Sequence, residues 1–130
     1  MEKQYTQQDV IDILVQNANL LLPIEETQDP VLPDHQRLNV YISGYVFPVL
    51  PQNNEGNNLG IVDDFSYSHN RQKAFPIIEL EGKKYLEVDI RFLKKYISTE
   101  KLDDGFNVTY ITFEEALLEE LNNGSVVMRK

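Results

Sequence analysis

Residues 75–88 constrain the fold most strongly, because their pattern predicts a β-hairpin. Residues 75–80 are mostly apolar, the turn 81–84 contains Gly82, and residues 85–88 form the returning strand. Glycine takes the positive φ that a tight hairpin turn requires. Since a hairpin pairs its two strands antiparallel, this segment predicts an antiparallel sheet.

Asp89, directly after the hairpin, is placed to cap a short basic helix. Ile90, Leu93 and Ile97 recur at helical spacing and form one apolar face. The opposite face carries three bases, Arg91, Lys94 and Lys95. Positive charge toward the end of a helix is favoured by the helix dipole, which supports the assignment.

An N-terminal helix is predicted over residues 7–22, with Thr6 and Asp9 as a capping box at its start. Apolar side chains recur along it at helical spacing, namely Val10, Ile13, Leu14, Ala18 and Leu21. Ile11 and Val15 widen this apolar face, so we expect the helix to lie in a groove between other elements.

The C-terminal part of the chain predicts a strand, a helix and a second strand. Residues 106–111 alternate apolar and polar side chains after an Asp-Asp-Gly turn. Thr112 and Glu115 then form a capping box that opens a helix, and Gly124 marks its end. Residues 125–128 are β-branched in the middle and are predicted to return as an edge strand.

Three segments lie between the N-terminal helix and the hairpin. Residues 38–42 alternate apolar and polar side chains, which is the pattern of a half-buried strand. Prolines and acids in residues 24–36 predict an ordered but irregular connection. Residues 52–60 are rich in asparagine and glycine, which predicts a mobile surface loop.

Together these elements predict a single α+β domain over residues 1–130, with a mostly antiparallel sheet and the three helices packed on it. The absence of cysteine excludes disulfides, thiolate catalysis and cysteine-ligated zinc. No apolar run approaches the roughly 20 residues that span a bilayer, and the N-terminus lacks the pattern of a secretory signal. We therefore expect a cytoplasmic protein with no membrane contact.

Charge is unevenly distributed along this chain of 21 acids and 12 bases, whose net charge is −9. Residues 1–70 hold ten acids and two bases, residues 71–101 five acids and eight bases, and residues 102–130 six acids and two bases. A field this negative repels nucleic-acid backbones and favours basic partners.

The residues able to carry catalysis do not form a recognisable site. His35 and His69 are far apart in the chain and lack the spacing of a metal-ligand pair. Ser43 lacks a Gly-x-Ser-x-Gly elbow. Adjacent residues on a strand point to opposite faces, so Asp63 and Asp64 cannot both bind one metal ion, and we interpret the acidic doublets as solvated surface. We expect a protein that is not an enzyme and that uses no metal or cofactor.

The hairpin and the basic helix also carry a family pattern, namely Pro76, an apolar strand, Gly82-Lys83, Tyr85, Val88-Asp89, Leu93 and Tyr96. This pattern resembles the wing and following helix of small phage excisionase-type winged-helix proteins, over less than a fifth of the chain. The resemblance implies an alternative function, that of a small DNA-binding regulator. Its contacts would be the bases Lys83, Lys84, Arg91, Lys94 and Lys95.

The charge distribution favours protein binding over catalysis and over DNA binding. Acidic fields speed association with cationic partners, and tyrosine is frequent at interface hot spots. The candidate contacts are Glu25, Glu26, Asp29, Asp63, Asp64, Glu115, Glu119 and Glu120, with Tyr41, Tyr45 and Tyr67 as anchors.

In size and charge the chain is similar to toxin-immunity proteins and to phage anti-defence inhibitors, some of which imitate the charge of DNA. The similarity is one of class and rests on no motif. We therefore expect a non-enzymatic inhibitor that covers a basic, nucleic-acid-handling protein such as a nuclease toxin. The sequence does not predict an oligomeric state.

Overall fold

The secondary structure is given by a computed structural model that describes residues 4–29, 31–32, 34, 36–65, 69 and 71–128. Within these ranges it contains three helices and ten strands. The helices are α1 (Gln7–Gln16), α2 (Ile90–Tyr96) and α3 (Phe113–Asn122). The strands are β1 (Leu20–Pro23), β2 (Glu25–Gln28), β3 (Gln36–Ile42), β4 (Tyr45–Asn54), β5 (Asn57–Asp64), β6 (Arg71–Leu80), β7 (Lys83–Val88), β8 (Glu100–Asp103), β9 (Asn107–Tyr110) and β10 (Val127–Met128).

Eight of these strands form one curled antiparallel sheet in the order β10-β1-β7-β6-β5-β4-β3-β2, and β8 pairs with β9 in a separate hairpin. Ile24 alone separates β1 from β2. This continuous segment pairs with β7 through its first half and with β3 through its second half. It therefore joins the two sides of the sheet. The Ile24 N–H extends the ladder with a 3.0 Å hydrogen bond to the Lys84 carbonyl.

The core is built from the inward side chains of the sheet together with the apolar sides of the helices. The strands contribute Leu20, Leu22, Val40, Ile42, Phe47, Val49, Val62, Phe75, Leu86 and Val88. Gly60 lies where side chains of β4 and β7 meet, and a Cβ there would sit 2.6 Å from Val49 Cγ1 and 2.8 Å from Leu86 Cδ1. α2 enters the same core through Phe92, whose ring centroid is 5.4 Å from that of Phe47.

α1 and α3 pack against each other, and both contribute side chains to the core. Two reciprocal hydrogen bonds join Tyr5, which precedes α1, to Asn122 at the end of α3. The Tyr5 N–H donates to Asn122 Oδ1 at 2.7 Å, and the Asn122 amide donates to the Tyr5 carbonyl at 3.4 Å. After α3 the chain returns as β10, which pairs with β1 at the edge of the sheet, so the predicted edge strand is confirmed.

Three predictions that rest on a turn or cap residue are confirmed. Residues 75–88 lie in the β6–β7 hairpin, with Gly82 at φ 81°. Asp89 caps α2 by accepting the Phe92 N–H at 2.7 Å, and Thr112 caps α3 in the same way. The chain is a single small domain with three helices, among the described residues, and a large antiparallel sheet, in agreement with the predicted fold class.

The helix predicted over residues 7–22 is wrong beyond Gln16. Asn17 takes a left-handed conformation at φ 53° and donates its N–H to carbonyls of the last turn, which ends the helix. The following leucines form β1, because pairing with β7 and β10 satisfies their backbone while burying their side chains. Ile11 and Val15, which were expected to lie in a groove, are exposed.

Two segments predicted to be irregular contain regular strands. Residues 24–36 include β2, which pairs along its length with β3. Residues 52–60 are the ends of β4 and β5, so the predicted loop is wrong except for its two-residue turn. Glu55 and Gly56 both have positive φ, at 54° and 80°, as the favoured two-residue hairpin turn requires. The asparagines on either side extend the ladder instead of leaving it.

Candidate functional site

The outward side of β4 carries an exposed apolar stripe. Strand alternation buries Phe47 and Val49 and turns Val46, Pro48 and Leu50 outward. Val46 is 49% exposed and Leu50 is 59% exposed. A contiguous row of exposed apolar side chains, unlike single scattered ones, is typical of an interaction surface.

Two predicted site residues lie beside this stripe on the neighbouring strands. Tyr41 on β3 lies directly opposite Val46. One row further, Glu25 on β2 lies opposite Asn39, and Asn39 lies opposite Pro48. The sheet register therefore brings a carboxylate and a tyrosine to one side of the stripe.

A third predicted residue lies on the other side of the stripe. Leu50 is paired with Ile61 on β5, and Asp63 follows Ile61 by two positions, so it faces the same way. Asp63 is exposed. We name the outward surface formed by Glu25, Tyr41, Val46, Pro48, Leu50 and Asp63 the β4 face. It combines an apolar row and a tyrosine with one carboxylate at each side.

The base on the outward side of β3 is paired and does not offset these carboxylates. Arg37 Nε lies 3.0 Å from Asp29 Oδ2. Asp29 Oδ1 also accepts the backbone N–H groups of Val31 and Leu32, at 2.8 and 3.1 Å. These backbone hydrogen bonds, followed by the one from Arg37, hold the pKa of Asp29 below its ordinary value. Asp29 thus organises its own turn and neutralises Arg37.

An open cavity of about 400 Å³ adjoins the β4 face. It is lined by Glu25 and Tyr41, by Pro23 and by residues 123–125, which follow α3. The cavity places a carboxylate and a tyrosine beside a space that a partner side chain can enter. A lysine or arginine of a partner would meet Glu25 there.

Asp64 lies inside the protein, which contradicts its predicted role as a surface contact. The residue is fully buried. Its Oδ2 lies 2.7 Å from Lys95 Nζ and 3.7 Å from Lys73 Nζ, and the Tyr96 hydroxyl donates to its Oδ1 at 2.5 Å. A carboxylate buried without such partners would be strongly destabilising, so this cluster is a structural feature of the core.

The acids predicted on α3 lie on a helix and not on the strands that form the β4 face. Glu119 Oε2 is 2.6 Å from Lys101 Nζ, and Glu120 accepts a 3.1 Å hydrogen bond from the Ser43 hydroxyl. Glu115 is exposed in the first turn of α3. Two of these three carboxylates therefore have partners within the chain.

The remaining predicted residues are also separate from the β4 face. Glu26 is exposed on β2 but points to the opposite side from Glu25. Tyr45 is half exposed, and its ring packs edge-on against that of Tyr96. Tyr67 lies outside the described residues. The structure thus groups three of the eleven predicted residues on one surface.

The bases of the DNA-binding alternative do not form one free surface. Lys95 is paired with Asp64, and Lys94 Nζ lies 5.6 Å above the centre of the Phe113 ring. β6 and β7 are interior strands of the sheet and not a free wing. α2 buries four of its seven residues. The geometry therefore does not favour the winged-helix alternative.

The sequence patterns did not single out Val46, Pro48 and Leu50. The alternation of these residues with Phe47 and Val49 is the signal that identifies them. This alternation predicts a strand, but only the cross-strand neighbours show that its apolar outward side stays exposed.

Comparisons of this chain with protein-family models, with curated proteins and with solved structures find no match. None of the helices in the described part of the chain is long and apolar enough to cross a membrane. Over the same residues, no group of three or more histidine, aspartate or glutamate side chains is arranged to hold a metal ion.

Proposed function

We propose that the chain is a non-enzymatic binding protein that uses the β4 face to cover a basic, nucleic-acid-handling protein in the cytoplasm. The observation that carries this proposal is the exposed stripe of Val46, Pro48 and Leu50 with the carboxylates of Glu25 and Asp63 at its sides. An apolar centre with a charged rim is the usual anatomy of a protein interface.

The two parts of the β4 face would contribute differently to binding. Burying the apolar stripe and Tyr41 provides the favourable apolar part of the binding free energy, and only its surplus over the costs of association appears as affinity. The carboxylates speed the encounter with a cationic surface and fix its orientation. The net charge of −9 acts in the same direction at longer range.

The basic surface of a nuclease is the surface that holds phosphates. A carboxylate-rimmed face that covers it competes with the nucleic acid for the same lysine and arginine side chains. Inhibition by the β4 face would therefore be stoichiometric and would be relieved by an excess of duplex DNA. Catalysis by the chain has no part in this mechanism.

The test is the inhibition of a panel of purified cationic nucleases by the chain and by four of its variants. Leu50→Asn and Glu25→Lys change the β4 face. Leu80→Asn and Glu81→Lys are matched controls, because these residues are exposed at the β6–β7 turn. We expect the chain to inhibit at least one nuclease, and each face variant to inhibit about tenfold less well, as for an interface hot spot.

The control variants and the addition of excess duplex DNA decide whether the proposal holds. Equal inhibition by the chain, by Leu50→Asn and by Leu80→Asn would show that the β4 face is not the contact. Failure to inhibit any member of the panel, or inhibition that excess duplex DNA leaves unchanged, would overturn the proposed mechanism.

A further inference from the structure

The large sheet closes on itself and therefore has an inside and two ends. The continuous segment β1–β2 completes the closure, because it pairs with β7 and with β3. Helices are attached at one end, where α1 leads into β1 and α2 follows β7. There the Phe92 ring of α2 lies 5.4 Å from that of Phe47 and 5.0 Å from that of Phe75, so the core fills this end.

A cavity of about 300 Å³ lies at the other end of the closed sheet. Its apolar wall is formed by Leu38 of β3, Pro51 of β4 and Ile77 of β6. Each of these residues is two positions from a buried core residue of its own strand, so all three face the inside of the sheet. We name this cavity the sheet mouth.

The core is tightly packed beneath the sheet mouth. A Cβ built on Gly60 of β5 would sit 2.8 Å from Leu86 Cδ1 and 3.4 Å from Ile77 Cδ1. Side chains of β6 and β7 therefore already fill the space below the cavity. A ligand can enter only as far as this floor, which leaves its polar end at the rim.

Two opposite charges lie next to each other at the rim. Glu79 on β6 and Lys84 on β7 are directly opposite in the hairpin, on the side that also carries Ile77. Both side chains are exposed and both line the cavity. Within the part of the chain that the structure describes, no ion pair joins Glu79 to Lys84 or engages either of them. A carboxylate and an ammonium group are therefore both available to a ligand.

The other side of the rim carries two amides. Asn53 on β4 and Asn58 on β5 lie directly opposite each other and line the same cavity. An amide side chain both donates and accepts hydrogen bonds. The register also directs Glu26 to this end, because it lies opposite Leu38, and it adjoins Lys84 on the side away from Glu79. The charged side of the rim is thus a lysine between two carboxylates.

We infer that the sheet mouth binds a free α-amino acid with an apolar side chain. The ligand side chain packs against the apolar wall, its ammonium group meets Glu79, and its carboxylate meets Lys84. Sites for small molecules are typically apolar cavities with a few convergent polar groups, they occur in the mouths of β-barrels, and they begin at about 300 Å³. The sheet mouth has this composition, this place and this size.

The charges of the rim select this class of ligand. A ligand that is only an anion is repelled by Glu26 and Glu79, and one that is only a cation is repelled by Lys84. A free amino acid has a partner for both of its charges, and it carries them on one carbon, as two cross-strand neighbours require. The inference does not depend on the proposed function, because the sheet mouth faces inward and the β4 face outward.

The experiment is an NMR titration of the intact, ¹⁵N-labelled chain with L-phenylalanine and two analogues. Phenethylamine lacks the carboxylate, and 3-phenylpropionate lacks the ammonium group. We expect L-phenylalanine to shift the amide signals of the residues that line the sheet mouth. Each analogue should bind at least about tenfold more weakly, because it loses one charge-assisted hydrogen bond.

Two variants assign the two charges of the ligand. Glu79→Gln should weaken L-phenylalanine at least about tenfold and bring its affinity to that of 3-phenylpropionate. Lys84→Gln should weaken it similarly and bring its affinity to that of phenethylamine. The matched controls are Glu81→Gln and Lys83→Gln, which change exposed residues of the same hairpin outside the cavity and should leave binding unchanged.

The inference is overturned if L-phenylalanine shifts no signals at the sheet mouth, or if both analogues bind as tightly as L-phenylalanine. Tighter binding of phenethylamine than of L-phenylalanine would also overturn it, by assigning the site to an amine. Unchanged affinity in both Glu79→Gln and Lys84→Gln would show that the rim charges are not the contacts. Thermal unfolding of each variant checks that these exposed substitutions leave the fold intact.

Discussion

The Tyr96 hydroxyl donates a 2.5 Å hydrogen bond to the fully buried carboxylate of Asp64. The bond joins the end of α2 to the end of β5. Lys95, the residue before Tyr96, contacts the second carboxylate oxygen at 2.7 Å. The cluster therefore attaches α2 to the sheet and consumes an acid and a base that the charge pattern had placed on the surface.

Removing the Asp64 carboxylate is expected to destabilise the protein strongly. Asp64→Ala removes the acceptor of the buried Tyr96 hydroxyl, and leaving a buried donor unsatisfied costs about 1–3 kcal/mol, whereas the Lys95 side chain is 24% exposed and can be hydrated in the variant. Urea denaturation measures the change in the free energy of unfolding. Asp63→Ala is the matched control on the same strand, where an exposed side chain is expected to change stability by no more than about 0.5 kcal/mol.

Asp64→Asn keeps an oxygen for the Tyr96 hydroxyl and is expected to fall between the alanine variant and the unchanged chain. It provides a measurement if the alanine variant does not fold. Equal stability of the Asp64→Ala and Asp63→Ala variants would contradict the buried cluster.

Gly60→Ala is expected to destabilise the protein by steric overlap. The added Cβ would sit 2.6 Å from Val49 Cγ1 and 2.8 Å from Leu86 Cδ1, closer than carbon atoms pack. Overpacking of this kind costs about 1–3 kcal/mol. A double-mutant cycle with Val49→Ala measures the overlap, because removing Cγ1 relieves the closer contact. Strictly additive costs would show that Gly60 does not meet Val49.

Arg37→Gln is expected to raise the pKa of Asp29 only in part. The backbone N–H groups of Val31 and Leu32 are the larger causes of its lowered pKa, and both remain in the variant. NMR titration of the Asp29 carboxyl group measures the change. A return to the ordinary value of 3.8 would instead make Arg37 the dominant cause.

The same lowered pKa predicts the direction of the pH effect on stability. As the pH falls below 3.8, the unfolded chain takes up a proton at Asp29 before the native chain does. The contribution of Asp29 to stability is therefore present above this pH and is lost as the pH falls through the lowered native pKa. Asp29→Asn should remove this part of the acid dependence in urea denaturation.

The parts of the fold that the sequence predicted correctly depend on local signals. Gly82 at its turn, Asp89 before α2 and Thr112 before α3 each act within a few residues. The N-terminal helix was predicted too long because the leucines after Asn17 also fit a helical spacing. Their partners in β7 and β10 lie far away in sequence, and pairing with these strands decides the conformation.

The candidate site was predicted only in part, because strands that are distant in the sequence decide which of its residues lie together. Glu25, Tyr41 and Asp63 are exposed as their residue types suggest, but only the register across β2, β3, β4 and β5 places them on one surface. Asp64 looked like its exposed neighbour Asp63. Asp64 lies two residues after the buried Val62 and therefore faces the same side of the strand, which was a signal for burial. Its partners on β6 and α2 could not be identified from the local sequence.

The binding proposal is tested by the salt dependence of the association rate between this chain and a cationic nuclease that it inhibits. Between about 0.1 M and 1 M salt the Debye length falls from about 10 Å to 3 Å. We predict that the rate falls at least about tenfold over this range. The double variant Glu25→Lys/Asp63→Lys should associate more slowly at low salt and show a weaker salt dependence. A rate that does not change with salt, and is the same for this variant, would contradict binding through an acidic β4 face.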